Sequence, residues 1–411
     1  MKNFSECLEK YADVVVKVGI NIQKGQNFVI SAPIEGADFV RILAKKAYET
    51  GAKNVYVEWD DKELDLVRYM NAPDEAFKEF PKWKANGLLE MAKEGTAFIS
   101  IGAPRPGFFM DVDPERLFQD KKTSSEAMAE FFRYMSSGKN SSGSIICIPT
   151  KEWAKKVFPE LDEKTGIEKL WEKIFKATRA DTENPVETWN EHIKNLNYRL
   201  DYLNEKRYKK LIYKSSMTDL AIELSDEHIW LGGGVTNEKG VYYIPNVPTE
   251  EVYTTPLKSG INGYVSSTMP LSYSGNIIEN FTITFKNGRI VDFTAEEGYE
   301  TLKQLIGSDE GSHYLGEVAL VPYDSPISKL NIIFYNTLFD ENASCHLAIG
   351  MAYPLSIKDG VFMDNEELEK HGANTSINHV DFMIGSKDLN IDGVTNDGKT
   401  EPIFRNGNWV I

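Results

Sequence analysis

The chain has 411 residues, of which 41% are hydrophobic and 26% charged, and its formal net charge is −16. That length permits two domains with a sizeable core, and the composition is that of an ordinary globular protein. The acidic balance excludes a general nucleic-acid binder, which needs a basic face. The opening "MKNFSECLEK" lacks the basic flank and apolar run of a signal peptide. No apolar run reaches the ~18–20 residues that span a bilayer, so no membrane partner is expected. Cys7, Cys147 and Cys345 lie far apart and are odd in number, which argues against a disulfide framework and for the cytoplasm.

Phe4, Leu8, Tyr11, Val15 and Val18 recur at steps of four and three, so the chain opens with an amphipathic helix. "QNFVISA" (26–32) reads as a strand closed by the turn "PIEG". Residues 37–50 read as a helix capped by Gly51, and "NVYVEW" (54–59) as a second strand. This βαβ unit implies parallel pairing. "TAFISIG" (96–102) and "GSIICIP" (143–149) are apolar strands of the kind buried on both faces. Residues 150–204 are helical in pattern, with Ile193, Leu196, Leu200 and Leu203 forming one stripe.

Beyond this point "MTDLAIEL" (217–224) alternates, and "FKNGRIVDF" (285–293) carries Asn-Gly between apolar runs, a hairpin signal. "IFRNGNWVI" (403–411) repeats that signal, whereas "LGGGVT" (231–236) reads as a tight turn. The expected fold is an α/β N-terminal domain with a mostly parallel sheet over 1–207, followed by an α+β domain with a mostly antiparallel sheet over 208–411.

Four of the six histidines, at 313, 346, 371 and 379, fall after residue 310. In "INHVDFMIGS" (377–386), His379 and Asp381 share one face of a strand, offering a nitrogen and an oxygen to a divalent metal. Taken alone, the pair is more often an aspartate orienting a packed histidine. Glu250 and Glu251 lie in the Pro-bounded "NVPTEEVYTTP" (246–256), and Glu317 stands just before an apolar run. Glu341 precedes His346, and Tyr353 follows, in "FDENASCHLAIGMAY" (339–353). Neither HExxH, paired CxxC, a Walker loop nor GxGxxG is present. Together these carboxylates and imidazoles suit Zn²⁺, Co²⁺ or Mn²⁺ better than Ca²⁺. Five or six ligands exceed the three that one catalytic zinc usually keeps, which points to two metals.

The segments "NVPTEEVYT", "YLGEVALVP", "LFDENASCHLAIGMAY" and "INHVDFMIG", with the opening "KYADVVVKVGINIQKGQNFVISAP", resemble the aminopeptidase T / aminopeptidase S family of co-catalytic metalloaminopeptidases. The resemblance runs end to end. It implies metal ligands at Glu251, Glu317, His346, His379 and Asp381, with Glu341 as a sixth ligand or a base, and Tyr353 as a site tyrosine. It also implies a cytoplasmic homodimer holding two divalent ions and acting on peptides with a free N-terminus. The reaction that the resemblance implies is hydrolysis of the first peptide bond by a metal-activated water, with Glu317 or Glu341 moving the proton and Tyr353 bonding the oxyanion. Residues 311–381 hold ten Asp or Glu, three Lys and no Arg, which suits a free amino group. The same scarcity of cations disfavours a two-metal phosphoesterase, the main enzyme alternative. A non-catalytic peptide-binding protein on the same fold is the other alternative.

Overall fold

A computed structural model describes residues 4–273 and 276–411 of the chain. The chain forms two compact units, one of residues up to Asn190 with Gly234–Pro248, the other of Glu191–Gly233 with Thr249–Ile411.

The first unit is built on a four-stranded sheet of β1 (Asn27–Pro33), β2 (Asn54–Asp60), β3 (Ala97–Gly102) and β4 (Ser142–Cys147), in the order β2-β1-β3-β4. All three pairings are parallel, so each connection must cross over the sheet. Helix α1 (Phe4–Val14) and helix α2 (Ala37–Thr50) bury Tyr11, Phe39 and Leu43. Helix α2 ends where expected, because Gly51 adopts a left-handed φ of 113° and its N–H returns to Ala47 O and Tyr48 O. Helices at Lys62–Asn71, Lys82–Lys93 and Pro114–Ser136 were not evident in the apolar periodicity. Two of them, Lys62–Asn71 and Pro114–Ser136, bury no residue fully, so they carry no clean stripe.

The second unit is largely antiparallel, as the alternating patterns predict. An eight-stranded sheet contains both Asn-Gly hairpins, and Asn287–Gly288 and Asn406–Gly407 all take the positive φ that such turns require. A five-stranded sheet consists of β5 (Leu231–Gly232), β6 (Val252–Thr254), β7 (Leu315–Leu320), β8 (His346–Gly350) and β9 (His379–Met383), ordered β9-β8-β7-β6-β5. One face of this sheet is apolar. Val252, Val318, Leu320, Leu347, Ile349 and Phe382 join a buried cluster with Leu211, Ile222, Ile261 and Ile283 of the larger sheet. Phe382 meets Phe281 at 5.5 Å between ring centres. Each such side chain contributes ~1.5–3 kcal/mol by leaving water. The two sheets therefore share one core, and the opposite face of the five-stranded sheet is left for other work. The "LGGGVT" segment is a sharp bend, with Gly232 and Gly233 at positive φ, that ends β5.

Candidate metal centre

The free face of the five-stranded sheet carries the polar residues. Because side chains alternate along a strand, His379 and Asp381 of β9 project together, as do His346, Ala348 and Gly350 of β8. Cross-strand register puts Ala348 opposite both Asp381 and Glu317, and Ala319 opposite both His346 and Tyr253. The positions lying between the polar side chains are thus alanine or glycine, which leaves room above the sheet.

Glu317 reaches this face through a break in the ladder. Leu315 pairs with Ile349 but Glu317 pairs with Ala348, so Gly316 is an extra residue in β7. Without the bulge Glu317 would follow Leu315 into the core. A Cβ on residue 316 would stand 2.2 Å from Met351 O, so only glycine fits. Glu317 therefore sits within β7 rather than just before it, as its place ahead of an apolar run had suggested.

Two groups of potential ligands converge. Glu251, Glu317 and His346 form one and Glu317, His379 and Asp381 the other, with the donor atoms of each group within 4.8 Å of one another. His346 Nε2 lies 3.0 Å from Glu251 Oε2 and 3.5 Å from Glu317 Oε1. His379 Nε2 lies 3.7 Å from Glu317 Oε2 and 3.5 Å from Asp381 Oδ1. Glu317 thus turns one oxygen to each histidine. Both imidazoles are held from behind: His346 Nδ1 is 3.0 Å from Ser344 O and His379 Nδ1 is 2.7 Å from Met351 O. A carbonyl can only accept, so Nδ1 carries the proton and Nε2 faces the carboxylates, the usual tautomer of a ligating histidine.

The electrostatics of this cluster call for positive charge. Burial, with Asp381 and Glu251 nearby, pushes the Glu317 carboxyl up to about 7. Glu341 is pushed well above the usual range by burial and by Glu251 and Asp381, so it lies in the same field. Burial opposes charge on His379 and His346. Asp381 nevertheless lifts His379 to about 9, and Glu251 and Glu317 hold His346 well above its ordinary value. Among the described residues, the ion pairs of Glu251, Glu317 and Asp381 are with these histidines and not with Lys or Arg. Asp381 Oδ1 is buried without a hydrogen-bond partner. Buried carboxylates paired with no Lys or Arg among the described residues, and imidazoles presenting Nε2, are the donor set of a divalent transition metal.

Two aromatic rings flank the donors. Tyr353 lies 4.4 Å from the His379 ring and 6.0 Å from that of Tyr253. Burial, with Glu317 and Asp381 near, keeps the Tyr353 phenol protonated and able to donate. Tyr253 went unnoticed in the sequence, although its place two residues after Glu251 in a strand was a usable signal. Glu250, the other member of the acidic pair, is buried elsewhere, with Oε2 3.5 Å from His192 Nε2. His313 sits in a short turn at Gly311–His313 and belongs to neither donor group.

The family model described as thermophilic metalloprotease (M29) matches residues 4–409. The chain belongs to the M29 metalloprotease family. Aminopeptidase AmpS of Bacillus subtilis is 54% identical over 410 residues, covering the whole of both chains. Aminopeptidase 2 of Geobacillus stearothermophilus is 52% identical, covering all of this chain and 99% of the other. The solved structure of wild-type AmpT from Thermus thermophilus superposes with a TM-score of 0.93 at 38% identity, covering 99% of this chain and 100% of that one. This M29 chain is therefore an enzyme of a metalloaminopeptidase family, and its parallel-then-antiparallel architecture is the one expected. No helix among its described residues is long and apolar enough to cross a membrane.

Proposed function

We propose that this M29 enzyme removes the N-terminal residue of peptides and holds two divalent ions, one between Glu251, Glu317 and His346 and one between Glu317, His379 and Asp381. The sharing of Glu317 between the two donor groups carries the reading. Each carboxylate oxygen of Glu317 serves one side, as in a bridging ligand. Glu341 completes the set as a sixth ligand or as the base, and the ions are Zn²⁺, Co²⁺ or Mn²⁺. When bound, the pair would acidify a water and polarise the scissile carbonyl.

The protein's own groups do the rest. Glu341 or Glu317 takes the proton of the attacking water and returns it to the departing amine. The Tyr353 phenol donates a hydrogen bond to the oxygen on which negative charge develops. The carboxylates are well suited to hold a substrate's ammonium group, and no Arg occurs between residues 311 and 381 to compete for them. We assign the chemistry to the part of the chain after residue 207, with the α/β portion 1–207 as a separate domain. The family resemblance supports a homodimer, and the free thiols of Cys7 and Cys345 fit a cytoplasmic setting.

The deciding experiment is metal analysis of the full chain during titration of the chelator-stripped protein, with activity on a panel of aminoacyl amides. Full activity is expected at two equivalents. Saturation at one equivalent sinks the two-ion reading, and cleavage of N-acetylated peptides at equal rate sinks the exopeptidase reading.

A further inference from the structure

The loops bearing Glu251 and Glu341 are far apart in sequence, and a single buried amide joins them. Asn342 is fully buried. Its Oδ1 accepts the Glu250 N–H at 2.7 Å, while its Nδ2 donates to Leu338 O at 2.9 Å and approaches Glu341 Oε1 at 3.4 Å. The orientation of the amide is dictated by these partners, since the Glu250 N–H needs an acceptor and the Leu338 carbonyl a donor. Asn342 is itself anchored, because Ser325 Oγ donates to its backbone oxygen at 3.3 Å. On the other side of the same turn, His192 Nε2 is 2.8 Å from Thr249 O.

Glu251 follows Glu250 directly, so the bond to the Glu250 amide fixes where the Glu251 carboxylate begins. Glu341 precedes Asn342 directly, so the same side chain fixes the second loop. A shift of either loop changes the spacing of Glu251 from His346, now 3.0 Å. The other donor group shares Glu317, but its His379 and Asp381 rest on β9 and make no hydrogen bond to this clip among the described residues.

We infer that Asn342 is a positioning residue, which sets the Glu251–Glu341 spacing and so tunes the ion held by Glu251, Glu317 and His346 without touching the other. The inference rests on the two-ion reading. A neutral, fully satisfied amide is suited to this task, because it spans an N–H and a C=O at once without adding charge to a crowded carboxylate site.

The test is Co²⁺ titration of the metal-free full chain, followed by visible absorption and by competition with a chelating dye. Wild type takes up two equivalents. In Asn342→Ala one equivalent weakens by about 10–100-fold, the usual loss on removing a group that orients a ligand, and its absorption band changes while the other equivalent is unmoved. Asn342→Asp keeps the acceptor for Glu250 but turns a charged oxygen toward Leu338 O and Glu341 Oε1, so the same equivalent is again the one that changes. If Asn342→Ala does not fold, the Asp variant carries the test. Variants that titrate like wild type overturn the assignment. So does equal weakening of both equivalents together with a lower melting temperature of the metal-free protein, which would mark Asn342 as a fold-stabilising residue only. A wild type that takes up fewer than two equivalents overturns the two-ion reading instead.

Discussion

Gly316 is the position at which one methyl group tests the whole arrangement. A Cβ there would lie 2.2 Å from Met351 O, 2.3 Å from Met351 C and 2.5 Å from Gly350 O. Carbon and oxygen rarely approach closer than 3.0 Å, so Gly316→Ala must open the bulge by at least 3.0 − 2.2 = 0.8 Å. The displaced atoms matter on both sides. Glu317 is the next residue along β7, and Met351 O is the acceptor that orients His379 Nδ1. A misplacement of about 1 Å in a catalytic constellation costs on the order of 10²-fold in rate. Overpacking a tight site also costs about 1–3 kcal/mol of stability. We therefore expect Gly316→Ala to remain folded at moderate temperature, with kcat down about 100-fold and metal binding weakened. Steady-state kinetics, thermal unfolding and metal content on the same preparation measure all three. A Gly316→Ala enzyme with wild-type kcat and full metal occupancy would refute the bulge as the device that aims Glu317.

Tyr353→Phe keeps the ring tilted against His379, and the lost hydroxyl has no hydrogen-bond partner among the described residues, so its melting temperature should be unchanged. Its kcat should fall by about 10²–10³, the loss of one oxyanion donor, with KM and metal content kept, and normal turnover would remove Tyr353 from the mechanism. His379→Ala should behave differently, losing metal and activity together; an inactive variant that retains two equivalents would make His379 something other than a ligand. A pH effect is expected at Asp309, which accepts from Ser312 Oγ at 2.6 Å, Ser376 Oγ at 2.9 Å and Ile377 N at 2.9 Å and so anchors the segment leading into β9. Burial opposes its charge, but these bonds outweigh burial and depress its pKa below the ordinary 3.8. Its contribution is therefore complete above pH 3.8 or so and lost as pH falls through the lower folded value. Asp309→Asn should lower stability at neutral pH and flatten the acid limb of the stability curve; an unchanged limb measured by denaturant unfolding would count against the anchor.

Much of this molecule was legible in its residues alone. Strand alternation put His379 and Asp381 on one face of β9, and Asn-Gly pairs marked two hairpins, because side-chain period and turn chemistry are local properties. The family motifs likewise pointed to Glu251, Glu317, His346 and Asp381. Local pattern could not supply register. Counting by twos puts Leu315 and Glu317 on the same face, yet Leu315 is in the core and Glu317 faces the histidines. The bulge at Gly316 decides this, and only glycine tolerates the close approach of the Met351 and Gly350 carbonyls there. The Asn342 clip was equally hidden, since its partner Glu250 lies 92 residues away along the chain. The sequence by itself determined which residues alternate and which chemistry they bring. The pairing of β6, β7, β8 and β9, made across long stretches of chain, decided which carboxylates meet which imidazoles, because register follows from the shared core face and not from neighbours along the chain.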